Sequence, residues 1–162
     1  MNPGKWMRSN LTAQGYHLTY AERRELSVAL RFSTGLCLAL VVVALALRSP
    51  AMVFALSPIG MIAGFTARHP FDHLWNSVVR RAVGGPVLPP NPARRRHAFK
   101  LATVWLLAVG ALLSAGATTP ALLLGGLLVA ACATVTAANL CIPSEALAWR
   151  ERRTARREAA AA

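Results

Sequence analysis

From Leu101 to Ser144 the chain runs 44 residues without an Asp, Glu, Lys, Arg or His. About 20 apolar residues carry a helix across the hydrocarbon core of a bilayer, so this stretch holds two crossings. Two shorter uncharged runs precede it, Phe32 to Leu47 and Ser49 to Ala67, with Arg48 between them. At about 1.5 Å rise per residue the first covers about 24 Å, which requires Arg31 and Arg48 to extend toward the headgroups. A hydrophobic fraction of 55% and a mean hydropathy of +0.43 agree with a membrane chain. The expected fold class is all-α, a polytopic membrane protein with four transmembrane helices over about 32–47, 51–67, 98–115 and 121–142. A basic segment 1–31, a loop 68–97 and a basic helix 145–162 flank and divide the spans.

A net charge of +12 raises the question of nucleic acid, and the placement of the charges answers it. Five of the 18 basic residues precede the first span, seven lie between Arg68 and Lys100, and five lie between Arg150 and Arg157. Only Arg48 falls elsewhere. Two hairpins separate these groups, so the positive-inside rule puts all three in the cytoplasm. The expectation is a multi-pass protein of a bacterial inner membrane with both termini cytoplasmic, its basic flanks meeting anionic lipid headgroups and no nucleic acid. The first 31 residues are too long and too charged for the n-region of a cleaved signal, so no signal peptide is expected. Cys37, Cys132 and Cys141 all fall inside apolar runs, where free thiols are expected.

Local signals mark the element ends. Thr19 and Glu22 have capping-box spacing and place a helix start near Tyr20. Ser49 and Pro50 suit a tight turn followed by a helix whose first residue is proline. Pro58 lies within the second span and predicts a kink, and Gly60 and Gly64 after it form a GxxxG groove for close helix packing, more naturally within the chain than between chains. Gly126, Ala130, Thr134 and Ala138 repeat every fourth residue on the last span, a second small-residue ridge. Pro143 and Ser144 are expected to end that span, with Ser144 capping the final helix. In the central loop Phe71, Leu74, Trp75, Val78, Val79 and Ala82 recur at helical spacing opposite Asp72, His73, Asn76, Arg80 and Arg81. This predicts an amphipathic helix in the membrane interface, with Phe71 and Trp75 inserted and Arg80 and Arg81 at the headgroups. Trp149 is a further candidate for the interface. Four prolines between Pro86 and Pro92 then stiffen an extended connector.

Chemistry-bearing patterns are sparse. No span has an ionisable group in its middle, which argues against a pump or proton-driven carrier. His69 and His73 stand four apart, but Pro70 disfavours helical angles at His69, so interfacial hydrogen bonding is preferred to a metal site. Cys132 and Cys141 are nine apart, on opposite faces of a continuous helix, whereas Cys37 and Cys141 fall at similar depth and form the one candidate thiol pair. No phosphate loop, zincin helix, nucleophile elbow or CxxC is present, and no cofactor is expected.

The run His69-Pro70-Phe71-Asp72, then Asn76, then Leu88-Pro89-Pro90-Asn91-Pro92 with Arg94 to Arg96, and finally Asn139, Cys141, Ile142 and Pro143, resembles a bacterial membrane-protein family known as domain of unknown function 4395. The resemblance covers about Ser33 to Ser144. It implies a membrane location and brings no reaction or catalytic residue. The reading is therefore a non-catalytic binding or accessory subunit, partnered by another membrane protein or a second copy. The alternatives are a thiol-dependent redox protein using Cys37 and Cys141, and a small-solute channel or carrier.

Overall fold

The computed structural model describes residues 10–161; Lys5 and Arg8 of the basic N-terminal segment lie outside them. Helix α1 (Tyr20–Ala29) starts at the expected capping box, Thr19 Oγ1 accepting from the Glu22 amide and the Glu22 carboxylate accepting from the Thr19 amide at 2.7 Å. After one turn α2 (Phe32–Ala46) continues it, so that Tyr20–Ala46 makes one near-continuous helical stretch of 27 residues, apolar in its C-terminal part. Arg48 turns the chain with a left-handed φ of 49°, and Ser49 caps α3 (Pro50–Phe65) with Pro50 in its first turn. An 81° bend leads into α4 (Pro70–Val83), which contains a π-helical turn over Trp75–Val79 and stops at Gly84. The extended connector delivers the chain to α5 (Ala93–Ser114); Gly116, at φ 74°, makes the turn into α6 (Thr118–Ala138), and α7 (Ile142–Ala161) closes the order.

Among the described residues there is no strand. Three helices among the described residues are long and apolar enough to cross a membrane, or four if the bent pair Pro50–Phe65 and Pro70–Val83 counts as one span. The molecule is an all-α chain built on membrane-spanning helices.

Glycines set the closest approaches. A Cβ at Gly60 would strike Thr103 Oγ1, and one at Gly64 would lie 2.7 Å from Lys100 Cγ and 3.2 Å from the Lys100 amide nitrogen. The GxxxG groove of α3 is thus filled by α5 of the same chain. Gly125 receives Leu45 in the same way, 2.7 Å from a built Cβ, and joins α2 to α6. Around these contacts Val41, Ala44, Val53, Leu106, Val109 and Leu128 form the apolar core, and Trp105 Nε1 donates to Leu124 O at 3.0 Å between α5 and α6.

The last span ends earlier than expected. Asn139 adopts a left-handed φ of 53° and closes α6 through its amide on Val135 O, so the helix stops at Ala138 instead of reaching Ile142. Its side chain is what the sequence reading overlooked, since asparagine tolerates this conformation far better than other residues with a Cβ. Ser144 consequently lies inside α7, its hydroxyl within hydrogen-bonding distance of Cys141 Sγ and Arg94 O.

A candidate functional site at the basic end

The bend after α3 and the proline connector converge on one end of the bundle, where the N-terminal residues and the start of α5 also arrive. They bring together a buried polar chain. Asp72, only 4% exposed, accepts at Oδ1 from Ser33 Oγ (2.5 Å) and at Oδ2 from the His69 amide (3.0 Å) and Asn91 Nδ2 (2.8 Å). Asn91 Oδ1 accepts from Tyr16 Oη at 2.9 Å, and Arg95 donates from Nη1 to Tyr16 Oη (3.1 Å) and from Nη2 to Leu30 O (2.8 Å). The Arg95 guanidinium also stands over the rings of Tyr16 and Phe99, 5.6 and 5.7 Å from their centroids. Burial raises the Tyr16 phenol, Arg95 opposes the rise and Asp72 adds to it.

His69 caps α4 from outside the helix, which Pro70 at the first helical position explains. Its Nδ1 accepts from the Phe71 amide at 3.1 Å, so in the neutral ring the proton sits on Nε2. That nitrogen lies 3.4 Å from Cys37 Sγ, and the N–H therefore points at sulfur. Such an arrangement steadies a thiolate but does not take a proton from a thiol. Burial lowers the His69 pKa to about 4, with Arg95 adding to the fall and the Asp72 charge opposing it. A cavity of about 90 Å³ borders this contact, lined by Cys37, His69, Thr103 and Cys132 among others.

The structure corrects several expectations. Trp75 does not lie on the outer face of α4. It is 8% exposed, packs on Phe32 at a centroid distance of 5.3 Å, and donates from Nε1 to Pro86 O at 2.9 Å. The buried face keeps the ordinary i, i+3, i+4 spacing but is centred on Asp72, Trp75 and Asn76, because hydrogen bonds to Asp72 and Asn76 hold that side against the bundle. Asp72, Trp75 and Asn76 turn inward, Phe71 is half-buried against His69, and Leu74, Val78 and Arg81 are left outside. Arg80 folds back to donate to Asn76 O at 2.8 Å. Trp149 is exposed on α7, under the Arg153 guanidinium at 4.8 Å. His73 is exposed while His69 is buried, so the two are not brought together, and among the described residues no three His, Cys, Asp or Glu groups cluster as metal ligands.

The thiols are also rearranged. Cys37 shares its cavity with Cys132, and Cys141 does not line it. Cys132 and Cys141 instead line a second, larger slot together, because the helix that would have set them on opposite faces ends at Ala138. All three cysteines are free.

Tyr16, Gln14 and the inward turn of Arg95 were not anticipated. Arg95 was legible in principle, since three successive arginines on a helix span about 200° and one of Arg94, Arg95 and Arg96 has to face the bundle. Tyr16 gave no such signal. Neither the curated proteins nor the solved structures contain a match to this chain. A family model does match, over residues 27–152, reaching further at both ends than the motifs suggested and including most of the buried cluster, and the chain belongs to that family, a domain of unknown function (DUF4395).

Proposed function

We propose that the protein is a non-catalytic binding or accessory subunit of a bacterial inner-membrane assembly, with both termini in the cytoplasm. One contrast supports the reading. Gly60, Gly64, Gly110 and Gly125 each meet a side chain of this chain, whereas a Cβ at Gly126 would meet nothing within 4 Å. Gly126 and Ala130 lie on an uncovered face of α6 with Leu123 and Leu127 exposed beside them. In lipid, helix association rests on close van der Waals contact and small residues, so this ridge suits a helix of another chain or of a second copy. The polar cluster fits the same reading, because the Asp72 carboxylate and the Asn91 amide are engaged in holding the bundle end together. The test is photo-cross-linking in native membranes from a benzophenone attached to Leu123→Cys or to Leu127→Cys, in a chain whose own cysteines are replaced by alanine. A discrete higher-mass species lost on Gly126→Trp supports the reading. A monomer alone at both positions overturns it.

A second reading has a specific observation behind it. The Cys37–His69 contact and the Cys132 wall of the same cavity favour thiol chemistry on Cys37 with Cys132 as the nearer candidate partner. One thiol that reacts fast with an alkylating agent in the native protein would favour it, and three slow thiols would count against it.

A further inference from the structure

Between α5 and α6 the bundle leaves a slot of about 390 Å³, the size of a small-molecule site, with walls formed by Leu101, Val104, Leu128 and Val135. Arg95 and Gln14 line its basic end. Arg95 is 3% exposed and uses two of its donors on Tyr16 and Leu30, while a guanidinium has five. Among the described residues no carboxylate lies within 4 Å of it; Asp72 is reached only through Tyr16 and Asn91. A buried cation without an adjacent anion is costly. Gln14, 1% exposed, donates from Nε2 to Asn139 O at 2.5 Å. That bond ties the N-terminal residues to the end of α6. The slot therefore joins an apolar body to one end where, among the described residues, a buried cation has no anion beside it. A carboxylate supplies that anion.

We infer that this slot binds a long-chain fatty acid, with its carboxylate at Arg95 and its chain along Leu101, Val104 and Leu128. Leu101 and Val104 are themselves exposed on the apolar flank of α5, so the chain of the ligand runs from the slot into the surrounding lipid. One polar end and one apolar trough match one chain and one small acid head. This site is separate from the Gly126 ridge and does not depend on it.

The test is equilibrium binding of radiolabelled palmitic acid to the full chain purified in mild detergent, with methyl palmitate as competitor. The expected result is saturable binding of one palmitate per chain, with the ester competing at least tenfold less well. Arg95→Gln should weaken binding at least tenfold. Because Arg95 also braces Tyr16 and Leu30, Ala131→Phe provides an independent variant that fills the slot without touching the polar end; it should keep the wild-type unfolding temperature and lose binding. Non-saturable uptake, equal competition by the ester, or a folded Ala131→Phe protein with unchanged affinity would each overturn the assignment.

Discussion

Asn91 Nδ2 donates to Asp72 Oδ2 at 2.8 Å, a buried bond that fastens the proline connector to the first turn of α4. The same amide accepts from Tyr16 on its other side, so one side chain links three separate parts of the chain. Truncating it leaves a buried carboxylate short of a donor and a phenol short of an acceptor. Loss of a buried hydrogen bond to a charged group costs about 1.5–3 kcal/mol. Asn91→Ala should lower the unfolding free energy in detergent by about 2 kcal/mol, and Asp72→Ala by more, since Ser33 and the His69 amide lose their acceptor as well. A double-mutant cycle should give a coupling of about 1–3 kcal/mol between Asp72 and Asn91, and additive losses would show that the bond does not hold in solution.

His69 makes stability depend on pH. Its pKa falls from an ordinary 6.5 to about 4 in the folded protein, so the unfolded chain binds the proton first as pH drops. Stability from this group is present above pH 6.5 and is lost as pH falls toward about 4. The loss is at most about 3 kcal/mol by the lower limit. Thermal unfolding followed between pH 7 and about 4.5 should show the decline, and His69→Asn, which keeps a side-chain acceptor for the helix cap, should flatten it. An equal decline in that variant would assign the effect to the carboxylates.

The spans were legible because the bilayer is an unforgiving solvent. Every backbone group must be paired inside the chain, so long uncharged runs such as Leu101 to Ser144 admit little besides helices. The capping box at Thr19 and the GxxxG groove were equally plain, being local patterns with one physical meaning each. The buried cluster was not. Asp72 and Asn76 looked solvated because helical periodicity alone ranks a carboxylate as an outer residue, whereas Asp72, Trp75 and Asn76 share one helix face at ordinary i, i+3, i+4 spacing and that face is the buried one. Ser33 and Asn91, which donate to Asp72, and Tyr16 and Arg95 behind Asn91 come from distant parts of the chain, and only the packed bundle brings them within reach.

Gly60 and Gly64 should tolerate no side chain. Even a methyl group at Gly60 would meet Thr103, and at Gly64 it would press on the Lys100 backbone, which has no room to retreat in a helix. Overpacking of this kind costs about 1–3 kcal/mol. Gly60→Ala and Gly64→Ala should therefore lower the unfolding temperature, while Gly126→Ala, in open space, should leave it unchanged or raise it slightly. Pro58→Ala separates the effect of helix geometry from that of contact. Wild-type stability in both α3 variants would remove the groove from the account of the fold.

The proposed orientation can be read from the connector. Asn91 is buried and a poor reporter, but Val87 is exposed on the same stretch and Thr154 is exposed on α7. Seventeen of the 18 basic residues lie before Phe32, between Arg68 and Lys100, or after Ser144, and retention of Lys and Arg on the cytoplasmic side is what sets topology. Cysteines placed at Val87 and Thr154 in a cysteine-free chain should react with a membrane-impermeant maleimide only after the inner membrane is opened. Both should also become reactive together, since the α5–α6 hairpin returns the chain to the side from which it left. Labelling of both positions in intact spheroplasts would reverse the orientation or make the bent pair α3 and α4 a re-entrant element instead of a crossing, and labelling of one position without the other would break the α5–α6 hairpin.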